Sequence, residues 1–107
     1  MIAVIFEAEA HPQAQARYLQ LAAGLVSLLA DAPGFISIER FSSLTTPGKM
    51  LSLSWWQDEA SVAEWQRNTL HQAAQQEGKR SIFSFYRVRV AQVLRDYASS
   101  KETAQHV

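Results

Sequence analysis

The hydrophobic residues of the first third of the chain follow two successive patterns. Ile2 to Ala8 is a nearly continuous apolar run rich in β-branched residues, which predicts a strand covered on both faces. His11-Pro12 then opens a helix, because a proline in the first turn lacks only an N–H that needs no partner. Residues 31–34, with Pro33-Gly34, end this helix. Its apolar residues recur at steps of three and four and form one stripe, which predicts that the helix covers a sheet. The stripe comprises Tyr18, Leu21, Ala22, Leu25, Leu28 and Leu29.

Two segments of alternating character predict a β-hairpin in the middle of the chain. The turn between them contains Pro47-Gly48, and these residue types suit the two central positions of a type II turn. We expect Leu44 to pair with Lys49 across this turn. That register sets Glu39 opposite Ser54 in the two strands.

One face of the predicted hairpin then has small hydroxyl side chains around a single carboxylate. Small side chains leave room, so this face can line a cavity. Alternatively, its serines face water on a half-exposed antiparallel sheet. The pattern leaves both interpretations open. The face comprises Ser37, Glu39, Ser52, Ser54 and Trp56.

The second half of the chain predicts two helical segments and one long strand. Asp58 is the expected N-cap of the first helix, and the second covers Leu70 to Gln76 and ends at Gly78. The last strand runs from Ile82 to Leu94. It is longer than the usual five or six residues, so we expect its end to pair with a partner chain. The resulting β-α-β-β-α-β order predicts an α+β, ferredoxin-like fold with an antiparallel sheet.

Length and composition predict one domain. The chain has 107 residues and no stretch that resembles a linker, so we place the domain at residues 1–97 and a polar tail at 98–107. Hydrophobic residues make up 48% of the chain. A domain of this size buries only about two-thirds of its unfolded surface. We therefore expect part of the apolar surface to contact a second subunit in a homodimer.

Charge and cysteine content exclude several classes of function. Ten Lys and Arg balance ten Asp and Glu, so no net field attracts nucleic acid or an anionic membrane. The absence of cysteine excludes a disulfide framework, a thiolate nucleophile and cysteine-ligated metal sites. The first residues lack the basic flank of a signal peptide, and no apolar run is long enough to span a membrane. We expect a cytoplasmic protein without nucleic-acid or membrane partners.

The candidate chemistry starts with the second helical region. The three histidines lack the His-x-x-x-His and Glu-x-x-His spacings of metal sites, so we expect no bound metal. Trp65 and His71 are six residues apart and share a face only if the chain kinks at Asn68-Thr69. Histidine can accept a proton near neutral pH, which makes His71 a candidate base. Alternatively, Trp65 is a core residue and His71 a partly exposed polar residue.

Further candidates lie around the last strand. Tyr86 can donate a hydrogen bond, and the neighbouring Arg87 can balance an anionic oxygen. Arg80 and Arg89 can do the same or can pair with the chain's own carboxylates, and we favour such pairing for Arg89.

Longer motifs of this sequence resemble the antibiotic biosynthesis monooxygenase family over about residues 2–97. The resemblance implies a ferredoxin-like α+β domain that dimerises sheet to sheet into a barrel, with a pocket between helices and sheet in each subunit. The motifs are P-G-F-I-S-I-E-R-F at 33–41, G-K-M-L-S-L-S-W-W at 48–56, D-E-A-S-V-A-E-W-Q at 58–66, H-Q-A-A-Q-Q-E-G-K-R at 71–80 and F-S-F-Y-R-V-R-V-A-Q-V-L-R-D-Y at 83–97.

Two branches of the family differ in their cofactor. One branch degrades haem and has an asparagine on the first strand, a tryptophan on the second helix and a ligating histidine about ten residues later. Trp65 matches that tryptophan, but Glu7 and Gln75 stand at the other two places, and His71 is displaced by about one turn. The other branch oxidises phenolic or quinol substrates with molecular oxygen and without metal, flavin or haem. Its tryptophan, asparagine, tyrosine and arginine correspond to Trp65, Asn68, Tyr86 and Arg87.

The sequence thus leads to the hypothesis of a homodimeric, cofactor-independent monooxygenase that acts on a small aromatic or quinol-type compound with O2. In this hypothesis His71 is the base, and Glu39 is its alternative or its orienting partner. Arg87 or Arg80 stabilises the oxyanion, and Tyr86 donates a hydrogen bond. The alternatives are a non-catalytic ligand-binding dimer and, less favoured, a haem-degrading enzyme. The expected substrate-binding residues are Trp65, Asn68, Ser37, Ser54, Trp56 and Arg80.

Overall fold

An antiparallel sheet with helices packed on one face forms the domain. The computed structural model describes residues 1–99, apart from the side chains of residues 69–71. Within these residues the sheet has four strands in the order β2-β3-β1-β4. This order and the sequence of elements confirm the predicted ferredoxin-like α+β fold. The elements are β1 (Ile2–Ala10), α1 (Gln15–Ala30), β2 (Phe35–Ser42), β3 (Lys49–Trp56), α2 (Glu59–Gln66), α3 (Thr69–Glu77) and β4 (Phe83–Gln92).

The helix boundaries follow local chemistry that the sequence predicts. A short 3-10 turn, Pro12–Ala14, leads into α1, as the His11-Pro12 signal indicates. The Asp58 carboxylate accepts hydrogen bonds from the backbone N–H and the hydroxyl of Ser61, each at 2.8 Å, and so caps α2. These bonds, the one from the hydroxyl foremost, lower the pKa of Asp58. The predicted N-cap is confirmed.

The hairpin register differs from the prediction by one residue. The Ser43 N–H donates to the Lys49 carbonyl at 2.9 Å, so Ser43, and not Leu44, faces Lys49. Glu39 therefore pairs with Leu53. A shift of one residue moves every side chain of a strand to the other face of the sheet. The predicted hairpin face that combines Ser37 and Glu39 with the serines of β3 is wrong for this reason.

The hydroxyl of Ser43 explains why the turn starts one residue earlier. It accepts backbone N–H groups of Thr46 at 3.0 Å and Thr45 at 3.3 Å, which closes a longer loop. The inner turn has the predicted form, since Gly48 has a φ of 81° and the Lys49 N–H donates to the Thr46 carbonyl at 3.2 Å. Leu44 consequently lies in the loop and is fully exposed.

A bulge at the start of β2 also changes which side chains share a face. Phe35 pairs with Trp56 and Ser37 with Trp55, so Ile36 is the extra residue. Simple alternation predicts that Phe35 shares a face with Ser37. In the structure Phe35 lies instead on the helix side of the sheet, with Ile38.

The α-helix ends just before Gly78, but the backbone does not leave helical geometry there. After α3 the backbone continues through a π-helical turn, Gly78–Ile82, before β4 begins at Phe83. A Cβ atom added to Gly78 would lie 2.6 Å from the Phe83 ring. The glycine is needed because the start of this π-helical turn packs so closely on Phe83 at the start of β4.

The helices in residues 1–99 pack on one face of the sheet. We call the face away from these helices the open face. It has both large apolar and charged side chains. The Glu7 carboxylate oxygens lie 3.6 Å from Nη1 of Arg89 and 4.0 Å from Nζ of Lys49. None of the helices in this part of the chain combines the length and hydrophobicity that a membrane crossing needs. The open face comprises Ala3, Ile5, Glu7, Ser37, Glu39, Phe41, Leu51, Leu53, Trp55, Phe85, Arg87, Arg89 and Ala91.

We expect the open face to form the contact between two copies of the chain, because an uncovered apolar sheet face in a two-layer fold is a site of association. Leu53 lies on the central strand β3, between Ile5 and Glu39. The substitution Leu53→Glu should convert a dimer into a monomer in sedimentation equilibrium at micromolar concentration, because it places a charge within the apolar contact. Leu19→Glu, on an exposed position of α1, is the control and should leave the dimer intact. A wild-type protein with a monomeric mass and native circular dichroism would contradict this expectation.

Candidate functional site

A cavity of ≈ 170 Å³ lies between the helices and the sheet. An engineered cavity of roughly 150 Å³ holds benzene, so this volume suits a molecule built on a single ring. Its wall is mostly apolar, with a few polar groups from the strands and from α2 and α3. The lining residues are Val4, Phe6, Tyr18, Leu21, Ala22, Leu25, Leu29, Ile38, Arg40, Ser52, Ser54, Trp56, Val62, Trp65, Gln66, Ala74, Gln75, Gly78, Phe83 and Val88.

Two tryptophans form one end of the cavity wall. Trp56 is only 1% exposed, and its ring lies 6.3 Å from that of Trp65 and 5.3 Å from that of Phe35. The indole N–H of Trp56 donates to the buried Ser54 hydroxyl at 3.0 Å, which fixes the orientation of the ring. The structure therefore brings together three of the residues predicted for substrate binding, Trp56, Trp65 and Ser54.

Three other rings form the opposite end. Phe83 makes edge-to-face contacts with Phe6 at 5.5 Å and with Tyr18 at 5.4 Å. Tyr86 lies beyond Phe83, with 6.3 Å between the two rings, and is 42% exposed. Tyr86 is thus beside the cavity and not part of its wall.

Four predicted site residues lie away from the cavity. Ser37 and Glu39 are on the open face as a result of the hairpin register. Arg87 is also on that face, where its position in β4 is opposite Glu7 of β1 in the strand register. The Arg87 guanidinium lies 5.7 Å from the centre of the Phe85 ring. Arg80 is exposed on the π-helical turn, and its Nε donates to the Gln76 carbonyl at 3.3 Å. The sequence-based prediction that these four residues surround one pocket is therefore wrong.

The junction between α2 and α3 lies where the sequence predicts a kink. Arg67 and Asn68 separate the two helices, and the backbone N–H of Asn68 donates to the Trp65 carbonyl at 3.0 Å. Asn68 lines a separate surface depression with Trp65. His71 lies in α3, and its side chain is outside the described residues. The backbone position of His71 is three residues before Ala74, which lines the cavity.

A double hydrogen bond holds α3 against α1. The Arg17 guanidinium donates to the two carboxylate oxygens of Glu77 at 2.6 and 2.9 Å. This contact lowers the pKa of Glu77 and raises that of Arg17. It fixes the helix that contributes Ala74 and Gln75 to the cavity wall.

Arg40 is a cavity residue that the sequence-based hypothesis omits. It projects from β2 to the helix side, next to Ser52 on β3. Its Nε atom is buried and has no hydrogen-bond acceptor among the described residues. One feature of the sequence could have identified Arg40 as a cavity residue. The alternation along β2 places Arg40 on the same face as Ile38 and on the opposite face from Glu39. With the wrong hairpin register, the interpretation in which the serine face lines a cavity places Arg40 on the opposite side of the sheet.

Comparisons with known proteins identify the family. The model of the family described as "Antibiotic biosynthesis monooxygenase" matches residues 1–77. This chain belongs to that family. A curated relative, "Jasmonate monooxygenase ABM" of Pyricularia oryzae, is 40% identical over 101 residues. Those residues cover 94% of this chain and 47% of the relative, so the chain spans about half the length of that protein. The uncharacterised protein YqjZ of Bacillus subtilis is 35% identical over 86 residues, 80% of this chain and 74% of its own.

A solved structure supports the fold of this family member. SnoaB, a cofactor-independent oxygenase from Streptomyces nogalater, superposes with a TM-score of 0.77 over 89% of this chain and 94% of its own, at 10% sequence identity. At this identity the likeness concerns the fold alone. The expected membership in the antibiotic biosynthesis monooxygenase family and the expected fold are both confirmed.

The cavity of this family member fits haem poorly. Gln75, which stands where the haem-degrading branch has its ligating histidine, lines the cavity. A neutral amide is a weak iron ligand compared with imidazole. In residues 1–99, with residue 71 described by its backbone only, no three His, Asp or Glu side chains group as metal ligands.

Proposed function

We propose that this chain is a monooxygenase that oxidises a small, single-ring aromatic or quinol-type compound with O2 and without a cofactor, acting as a homodimer. The observation that supports this proposal most strongly is the cavity itself. It is ring-sized, bounded by Trp56 and Trp65 at one end, and set between helices and sheet in a chain of this family. The name of the 40% identical relative denotes a monooxygenase of a small molecule, jasmonate, and SnoaB is described as cofactor-independent.

The proposed reaction takes all its electrons from the substrate. A base removes a proton from a ring-activated CH2 or hydroxyl group, and the resulting electron-rich anion transfers electrons to O2. A CH2 group becomes a carbonyl, and in a phenol or quinol a ring C–H carbon ortho or para to the deprotonated hydroxyl becomes one as that hydroxyl oxygen also becomes a carbonyl. In both cases one oxygen atom enters the product. The other leaves as water with the two hydrogens of the substrate. The apolar wall keeps bulk water from the reactive anion.

His71 remains our proposed base. It is on α3, the helix that contributes Ala74, Gln75 and, just beyond its end, Gly78 to the cavity wall. Glu39 is withdrawn as an alternative base, because the observed register places it on the open face. Tyr86, beside the Phe83 ring, is the proposed hydrogen-bond donor at the cavity edge. The two tryptophans are proposed to hold the substrate ring.

Oxygen uptake measures the proposed activity directly. Purified protein is incubated in an oxygen electrode with single-ring quinols and hydroxylated aromatics, and each compound is also titrated calorimetrically. We expect at least one compound to be bound and to produce uptake above its rate of spontaneous oxidation. Binding without uptake across the panel would favour the alternative of a non-catalytic ligand-binding dimer.

A further inference from the structure

Arg40 introduces a positive charge into an otherwise mostly apolar cavity. It lies on β2, at the edge of the sheet, and its cross-strand partner Ser52 also lines the cavity. Arg40 is half-buried, and its Nε atom is removed from water, which is costly unless a partner accepts its hydrogen bond.

No such partner is found within the part of the chain that the structure describes. The Nε atom of Arg40 is buried without an acceptor, and its guanidinium forms no ion pair in residues 1–99. The neighbouring carboxylate, Glu39, points to the opposite face of the sheet. Two other arginines differ in this respect, since Arg17 binds the Glu77 carboxylate and the Arg89 guanidinium lies 3.6 Å from the Glu7 carboxylate.

We propose that the ligand of this cavity is a single-ring carboxylic acid whose carboxylate pairs with the guanidinium of Arg40. The planar fork of a guanidinium matches the two oxygens of a carboxylate, and such charge-assisted pairs are stronger than neutral hydrogen bonds. The apolar remainder of the wall binds the ring, and the volume of ≈ 170 Å³ admits a ring with one such group. This inference rests on the proposed function, because it defines the substrate class of the same site.

The test compares two probes that differ in one group, a charged carboxylate in one and a neutral amide in the other. Benzoate and benzamide have the same ring and nearly the same shape, and calorimetry gives the affinity of each. The indole N–H signals of Trp56 and Trp65 in NMR spectra show whether a probe occupies the cavity. The variants are Arg40→Met, which retains the stem without the charge, and Arg40→Lys, which retains the charge without the fork. Arg95→Met, at an exposed position after β4, is the matched control.

Wild type should bind benzoate about tenfold or more tightly than benzamide, the usual effect of a hydrogen-bonded charge pair. Arg40→Met should lose this factor for benzoate and change the benzamide affinity by no more than about twofold. Arg40→Lys should retain part of the preference, and Arg95→Met all of it. Equal affinities in wild type, no binding of benzoate, or a benzoate affinity unchanged in Arg40→Met with native circular dichroism would overturn the inference.

The outcome is separable from that of the proposed function. A charge preference that depends on Arg40, with no oxygen uptake for any compound, would contradict the oxygenase and support the carboxylate site. Oxygen uptake with neutral quinols, together with equal affinities for benzoate and benzamide in wild type, would support the oxygenase and overturn the carboxylate site.

Discussion

Trp56→Ala should lower the free energy of unfolding by about 3–5 kcal/mol, the usual cost of truncating a buried tryptophan. Trp56 is among the most buried large side chains of the described residues, at 1% exposure. It belongs to a core cluster with Ile2, Leu29 and Val62. The substitution removes these contacts and leaves the Ser54 hydroxyl without its indole donor. Small domains have a total stability of about 5–15 kcal/mol, so the variant should be close to unfolding. Urea titration followed by circular dichroism measures the change.

Trp55→Ala provides a matched comparison, because this neighbouring tryptophan is on the open face. Its effect should depend on protein concentration, since a loss of dimer contact changes stability through mass action. In Trp56→Ala the loss should persist at every concentration. If the two variants lose equal stability at all concentrations, the assignment of their faces is refuted.

Most element positions are predictable because their signals are local. Asp58 caps α2 through a bond to a residue three positions away, and Pro47-Gly48 forms its turn within four residues. The apolar stripe of α1 follows from helix geometry alone, and Tyr18, Ala22 and Leu29 of that stripe are buried. Such features need no knowledge of distant contacts.

The hairpin register is not predictable in this way, because it depends on a loop that one side chain lengthens. The Ser43 hydroxyl lengthens the loop, and the extra residue at Ile36 reverses the alternation at Phe35. The lengthened loop decides that Arg40 enters the cavity and that Glu39 does not, whereas the bulge changes only the side of the sheet on which Phe35 lies. A pattern with a period of two cannot distinguish the two faces when both contain apolar and polar residues.

The close approach at Gly78 is a tertiary effect of the same kind. In the sequence a glycine after a helical segment indicates a helix end. In the fold the glycine makes room for the Phe83 ring, which Tyr18 and Phe6 also contact. The requirement comes from a residue on the next strand and is visible only after the chain has folded.

His71→Ala should lower the rate of the proposed oxygen uptake on the order of 10²-fold or more, the usual effect of losing a general base. The fold should remain, because the substitution leaves Ala74 and Gln75 unchanged, and these are α3 residues whose described side chains line the cavity. The measurement is kcat in the oxygen electrode with a substrate from the panel, together with circular dichroism. The loss should be greatest in kcat, since a base acts on the transition state more than on substrate binding.

His11→Ala is the control, because this histidine precedes the 3-10 turn and is not among the residues that line the cavity. It should retain the wild-type rate. Glu39→Gln, on the open face, should also leave the chemical step unchanged provided that the dimer persists. Full activity in His71→Ala with a large loss in Glu39→Gln would transfer the role of base to the carboxylate, and would require that the open face of one subunit contributes to a reaction site. Full activity in both variants would place the base outside the residues proposed from this sequence.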